Sequence, residues 1–253
     1  MLLALVALAR PWWGEREETV ETASRSVLVL LDVSRSMLAA DVRPSRLGRA
    51  KADLADLASG LRGDRAALVA FRAGTATLCP FTADTGFFLE AVEGASVDSA
   101  PRGETDLGAA LAEGRRMLQG FAAGHRAIVL VSDGEDLSGR AVEEAKACGA
   151  DGIPVFCVGV GGTRGADVPA DDAGTPLEHR GERVVTKLES ETLVAIASAS
   201  GGVYLPLAST SGGATLGTIY RDHVRRAVRE ETRASAETRR IERYGLFLAP
   251  ALA

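Results

Sequence analysis

Three uninterrupted apolar runs constrain this chain more than any other feature: Ser26–Leu31 (SVLVLL), Ala127–Val131 (AIVLV) and Ile153–Val160 (IPVFCVGV). A strand with one face in water alternates apolar and polar residues. A run apolar at nearly every position, rich in Val, Ile and Leu, suits a strand covered on both faces, as in a parallel sheet. Ala66–Phe71 forms a further run, and Thr75–Cys79 another after the Ala73-Gly74 turn.

Helical patterns lie between these runs. Pro44 and Ser45 open one in which Leu47, Leu54, Leu57 and Leu61 recur at near-helical spacing, with Gly60 and Gly63 ending it. Phe87, Phe88 and Val92 suggest a short helix. Leu107, Leu111 and Leu118 suggest another, starting behind Thr105 and Asp106, and Val142, Ala145 and Cys148 a third. Glu191–Ser200 also reads as helical, and Val203–Leu205 as an edge strand. This alternation predicts the α/β class: a doubly wound, mostly parallel sheet with helices on both faces. The Gly-, Asp- and Pro-rich stretch 162–182 reads as a loop or hairpin insertion.

The ends carry their own signal. Met1–Ala9 (MLLALVALA) is apolar and is followed by Arg10, Pro11, Trp12 and Trp13. A spanning helix needs about 20 such residues, yet a Trp pair suits a membrane interface. Leu246–Ala253 turns apolar again after Arg243 and Tyr244. The expected organisation is a partial membrane-anchor segment (1–14), a linker (15–25), the α/β domain (26–208), a helical extension (209–243) and the start of a second anchor (244–253). Packing of both ends on the domain is the competing reading.

The net charge of -5 argues against a general nucleic-acid binder. Cys79, Cys148 and Cys157 lack CxxC spacing, so they fit neither a disulfide framework nor a structural zinc site. They read as small buried hydrophobes.

The candidate chemistry sits where the strands end. The first run leads into Asp32-Val33-Ser34-Arg35-Ser36, a D-x-S-x-S loop. Gly103-Glu104-Thr105-Asp106 precedes a helix, and Ser132-Asp133-Gly134-Glu135 follows the run Ala127–Val131. In open α/β sheets, ligands bind at the carboxyl ends of strands near the switch in strand order. Asp32, Ser34, Ser36, Thr105 and Asp133 would then converge from three loops, all offering oxygen. All-oxygen ligation selects hard cations: Mg²⁺ first, with Mn²⁺ or Ca²⁺ as substitutes. Such a site leaves room for water, which an incoming carboxylate could replace.

These residues resemble the von Willebrand factor A family and its metal-ion-dependent adhesion site, over roughly Ser26 to Leu207. The D-x-S-x-S loop, the threonine of the G-x-T-D segment and the S-D-G-E aspartate occur in family order. The resemblance implies that Ser34 and Ser36 are direct ligands and that Thr105, Asp32 and Asp133 act directly or through water. It implies a protein partner that offers an Asp or Glu.

The surroundings resemble one branch, the membrane-anchored aerotolerance (Bat-type) proteins. The matching pieces are Ala9-Arg10-Pro11-Trp12-Trp13-Gly14, then Ser36-Met37-Leu38-Ala39-Ala40-Asp41 with Arg43-Pro44-Ser45-Arg46-Leu47, and Arg243-Tyr244. This narrower likeness implies flanking membrane helices, sister proteins of the same family and a MoxR-type AAA+ ATPase as partners. It also implies a bacterial inner-membrane location with the domain on the periplasmic side. The Arg-rich approach to Leu246, taken alone, would favour the cytoplasmic side.

Rival readings have weaker footing. An aspartyl phosphatase would need an acid where Ser34 stands, and no G-x-S-x-G elbow is found. A metal-activated hydrolase would need a base beside the ion, for which Glu104 or Glu135 could be offered. His125, His179 and His223 have no visible triad context. Val158-Gly159-Val160-Gly161-Gly162 fails as a dinucleotide loop, since its third glycine would fall at Arg164. A scaffold with a vestigial metal site is the remaining alternative. Singly, Ser34 and Ser36 could cap a helix, Thr105 or Asp106 likewise, and Asp133-Gly134 could be a plain turn.

Overall fold

The computed structural model describes residues 12–61, 63–122, 124–170, 175–207 and 231–242. The chain divides into two units, one formed by its two ends and one by Ser24–Glu230. In chain order the elements are β1 (Trp12–Ser24), β2 (Ser26–Asp32), α1 (Arg46–Gly60), β3 (Arg65–Phe71), β4 (Thr75–Thr82), α2 (Thr85–Gly94), α3 (Leu107–Leu118), β5 (Arg126–Ser132), α4 (Ala141–Ala150) and β6 (Val155–Gly159). The short strands β7 (Ala166–Asp167), β8 (Glu178–His179), β9 (Glu182–Arg183) and β10 (Val185–Thr186) come next. They are followed by α5 (Ser190–Ser200), β11 (Tyr204–Pro206) and β12 (Glu231–Glu242).

Six strands of the larger unit form one sheet in the order β11-β6-β5-β2-β3-β4. All neighbours are parallel except β3 and β4, which are antiparallel. The doubly wound, mostly parallel architecture expected from the apolar runs is therefore present. From β2 the chain steps to β3 on one side, and later to β5 on the other. That reversal opens a crevice at the carboxyl ends of β2 and β5.

The continuous apolar runs follow from burial on both sides. Val27, Val29 and Leu31 pack on one face with Leu47, Leu54 and Leu57 of α1 and Phe88 and Val92 of α2. Leu28 and Leu30 pack on the other with Leu107, Leu111 and Leu118 of α3 and Leu193 and Ile196 of α5. Each fully buried aliphatic side chain contributes about 1.5–3 kcal/mol. Gly114 of α3 faces Ile128 and Leu28, where an added Cβ would lie 3.1 Å from each side chain. This glycine lets the helix approach the sheet.

The 162–188 segment forms small antiparallel pieces. β7 pairs with β10, and β8 with β9. The β8–β9 turn is Arg180-Gly181, with φ of 54° and 82°. Two successive positive φ values match the right-handed twist of a tight hairpin.

The ends depart from the local reading. Residues 15–25 read as a linker and 209–243 as a helical extension, but β1 (Trp12–Ser24) and β12 (Glu231–Glu242) are paired strands. Each satisfies its backbone groups with the far end of the chain, a partner that no local periodicity can reveal. The membrane-anchor segments expected at 1–14 and 244–253 lie outside the described residues, apart from Trp12–Gly14, which belong to β1. The stretch 209–230 of the expected helical extension lies outside them too. Among the described residues, no helix is long and apolar enough to cross a membrane.

Candidate metal centre

Three loops leave the crevice end of the sheet. The first follows β2. Asp32 is fully buried at the strand's last position. Its Oδ1 accepts a hydrogen bond from the Ser34 amide at 2.8 Å, and its Oδ2 accepts one from the Ser132 hydroxyl at 2.7 Å. Ser34 stands at the N-terminus of a four-residue 3₁₀ turn, Arg35–Leu38, but its side chain makes no capping bond. Its Oγ instead lies 2.9 Å from the Ser36 Oγ. Ser34 is thus not occupied as a cap, and its hydroxyl is paired with the second serine of the motif.

The second loop precedes α3. Here the capping role belongs to Asp106, whose Oδ1 accepts from the Ala109 amide at 2.8 Å. Thr105 is buried to 5% exposure, and its carbonyl accepts from the Leu137 amide at 3.2 Å. Its hydroxyl has no hydrogen-bond partner among the described residues. Arg72 braces this loop from the end of β3: its carbonyl accepts from the Asp106 amide at 2.9 Å, and its Nε donates to the Gly103 carbonyl at 2.9 Å.

The third loop follows β5. Asp133 is fully buried, its Oδ1 accepts from the Glu135 amide at 3.3 Å, and its carbonyl accepts from the Glu189 amide at 2.8 Å. The Ser132 hydroxyl, besides donating to Asp32, accepts from the Gly134 amide at 2.9 Å. Gly134 has φ of 83°, and a Cβ there would collide with the Glu189 carbonyl. The left-handed backbone at Gly134 redirects the chain immediately after Asp133.

Ser34, Ser36 and Thr105 line a single cleft of about 190 Å³; Asp32, bonded to the Ser34 amide, and Asp133, near enough to raise Asp32, are fully buried and do not line it. Of the five residues singled out from the sequence, Ser34, Ser36 and Thr105 share the cleft, and Asp32 joins them through its bond with the Ser34 amide. Neither His125 nor His179 lines the cleft.

The buried acids beside the cleft are only partly matched by buried positive charge, while Arg35 and Arg72 stand at its more open lining. Burial, and then the nearby Asp133 carboxylate, push the Asp32 carboxyl up to about 7. Burial and Asp133 also raise Glu135. The buried cation is Arg46, at the start of α1. Its Nη1 donates to Asp133 Oδ2 at 2.9 Å and to the Thr186 hydroxyl at 3.1 Å, and it grips Asp41 through Nε and Nη2 at 2.9 and 2.8 Å. One guanidinium therefore serves Asp41 and Asp133, while Asp32 is held by hydrogen bonds and has no direct ion pair among the described residues.

Of the residues that hold the two buried acids, Arg46 and Ser132 were not singled out from the sequence. Arg46 shares a helical stripe with Ala50, Leu54, Leu57 and Leu61, all buried. A charged residue on an apolar stripe signals a buried ion pair, and that signal was present. Ser132 stood in the S-D-G-E string beside the aspartate that drew attention.

The residues fit a hard divalent cation. Two carboxylates and three hydroxyls supply oxygen only, and the acids outnumber the buried guanidinium. Among the described residues, no group of three or more His, Cys, Asp or Glu side chains is arranged for a metal. A metal site here therefore depends on the hydroxyls.

The chain matches the von Willebrand factor type A domain family over residues 27–135. It is similar to the solved structure of BatB, a conserved hypothetical protein from Bacteroides thetaiotaomicron. Identity is 33%, the TM-score is 0.70, and the match covers 74% of this chain and 91% of that one. It is also similar to an aerotolerance-related membrane protein from Bacteroides fragilis, at 30% identity and TM-score 0.71, covering 79% and 96%. Proximal thread matrix protein 1 from the mussel byssus, described with a zinc-occupied MIDAS motif, shares the fold at 18% identity and TM-score 0.56, covering 87% and 50%. No curated protein matches the sequence.

Proposed function

This chain belongs to the von Willebrand factor type A domain family, and on that premise we propose a non-catalytic interaction module. It holds one divalent cation, Mg²⁺ by preference, and engages a carboxylate on a protein partner. Ser34, Ser36 and Thr105 would hold the ion with their hydroxyls, and Asp32 and Asp133 would contribute charge directly or through water. The bound ion would supply a Lewis-acidic position that a partner's Asp or Glu completes.

The observation that carries this reading is the convergence of three hydroxyls on one cleft beside two fully buried acids. One of those hydroxyls, on Thr105, has no hydrogen-bond partner among the described residues. A purely structural loop would more economically bury apolar groups there, since unmatched buried acids cost stability. No histidine of the described residues lines the cleft, so a triad has no base there, whereas Glu104 and Glu135 do line it and make a metal-activated hydrolase the second reading. By the first reading the module works at a bacterial inner membrane, on the periplasmic side, with a MoxR-type AAA+ ATPase or sister family proteins as partners.

The test is a thermal melt with Mg²⁺ against EDTA. An ion present at a hundredfold excess over its Kd stabilises the native state by about 2.7 kcal/mol. In a chain of this size that is a rise of roughly 5–10 °C. The rise should vanish in Ser34→Ala. An unchanged rise in that variant, or none in the parent protein, refutes the proposal.

A further inference from the structure

The cleft has a second wall that the metal reading does not use. Its lining also includes Val168, Leu177, Val184 and Val185 of the 162–188 segment, and Leu137 from the loop after β5, whose amide donates to the Thr105 carbonyl. Leu137 is 59% exposed and Val185 61%, the two most exposed large hydrophobics among the described residues. They come from different loops yet stand at one cleft. Isolated exposed aliphatics need no explanation, but a cluster beside a polar site marks an interaction surface.

This wall is fixed in place. The Val168 amide donates to the Val184 carbonyl at 3.0 Å, the Leu177 amide to the Val168 carbonyl at 2.7 Å, and the Val184 amide to the Leu177 carbonyl at 2.8 Å. Thr186, just beyond Val185, is tied to Arg46. A preorganised wall binds without the cost of ordering itself.

Charge narrows the occupant. Arg35 and Arg72 line the cleft, and neither forms an ion pair among the described residues. Arg35 donates to the Ala170 carbonyl at 3.4 Å and Arg72 to the Gly103 carbonyl. Two guanidinium groups with no carboxylate in direct ion-pair contact favour a carboxylate-bearing ligand. Glu104 and Glu135 line the same cleft and would oppose that carboxylate unless a cation intervened. At about 190 Å³ the space is below the ~300–1,000 Å³ of small-molecule sites, which favours side chains of a peptide over a cofactor.

We propose that the cleft selects a protein segment in which the metal-engaging Glu or Asp is flanked by aliphatic residues, the acid facing Ser34, Ser36 and Thr105 and an aliphatic neighbour resting on Leu137 and Val185. This deepens the metal-bridged reading and rests on it.

The experiment titrates the full chain by NMR with three probes, with and without Mg²⁺: Ac-Ala-Leu-Glu-Leu-Ala-NH₂, Ac-Ala-Gly-Glu-Gly-Ala-NH₂ and Ac-Ala-Leu-Gln-Leu-Ala-NH₂. The leucine-flanked glutamate peptide should bind about tenfold tighter than its glycine counterpart in Mg²⁺, and the glutamine peptide should bind no tighter than either does in EDTA. The double variant Leu137→Ser/Val185→Ser alters exposed positions and should bring the two glutamate peptides within about twofold. Equal affinities in the parent protein, or a preference that survives the double variant, overturn the apolar wall while leaving the metal bridge standing. Loss of Mg²⁺-dependent binding for every glutamate peptide overturns both.

Discussion

Arg46 Nη1 lies 2.9 Å from Asp133 Oδ2, and both side chains are wholly withdrawn from solvent. Arg46 begins the helix that follows the D-x-S-x-S loop, and Asp133 is the first residue after β5. Their ion pair ties two of the three loops together. Arg46→Met should leave Asp133 and Asp41 without their cation and lower stability by about 3–5 kcal/mol, measured by urea unfolding. Added Mg²⁺ should then recover more stability than it gives the parent protein, because the ion replaces missing positive charge. Equal recovery in both proteins would show that Arg46 and the ion do not share Asp133.

Thr105 and Ser132 should separate ligand role from structural role. The Thr105 hydroxyl has no partner among the described residues, so Thr105→Ala should change the metal-free melt little while removing most of the Mg²⁺ rise. The Ser132 hydroxyl donates to Asp32 and accepts from the Gly134 amide. Ser132→Ala should therefore cost about 1–3 kcal/mol without metal. Calorimetric unfolding of both variants in EDTA and in Mg²⁺ decides between these patterns, and Thr105→Ser should restore the rise.

Asp32 gives the site a pH dependence. Its folded value is raised, from 3.8 to about 7, through burial and then Asp133. A carboxyl with a raised folded pKa binds its proton more tightly folded than unfolded. Its contribution to metal-free stability is full below pH ~4, falls as pH rises toward ~7, and levels off above. Asp32→Asn removes this titration, so its melting temperature relative to the parent protein should be higher at pH 8 than at pH 5 in EDTA. The ion competes with the proton, so the Mg²⁺ rise of the parent protein should be larger at pH 8 than at pH 6. A rise independent of pH would mean that Asp32 ionisation is not linked to the metal.

Gly134 redirects the chain immediately after Asp133. At φ of 83°, any Cβ is strained, and here it would also meet the Glu189 carbonyl. Gly134→Ala should destabilise the protein by more than the ~1 kcal/mol typical of an unfavourable backbone alone, and should weaken the Mg²⁺ rise. A melt that matches the parent protein in both respects would refute this account of the loop.

Much of the architecture was legible along the chain because its cause is local and repeated. A strand covered on both faces must be apolar at successive positions, as Val27 to Leu31 are, and no partner need be known to see it. The site loops were legible for a related reason: Asp32 and Asp133 directly follow such runs, and a parallel sheet brings those strand ends to one edge. The roles of neighbours were not legible. Asp106 rather than Thr105 caps α3, and Ser34 caps nothing, because hydrogen-bond geometry, not residue type, decides who caps.

By itself, then, the sequence determined the α/β class, the edge at which three oxygen-bearing loops meet, and the donor types they carry. Only the tertiary structure decided that β1 pairs with β12, that Arg46 serves Asp133 and Asp41 at once, and that Leu137 and Val185 share a cleft with Ser34 and Thr105. The physical reason is distance along the chain. Periodicity reports whether a face is buried, but which separated groups neutralise or complete one another depends on strand order and loop path, which local patterns do not encode.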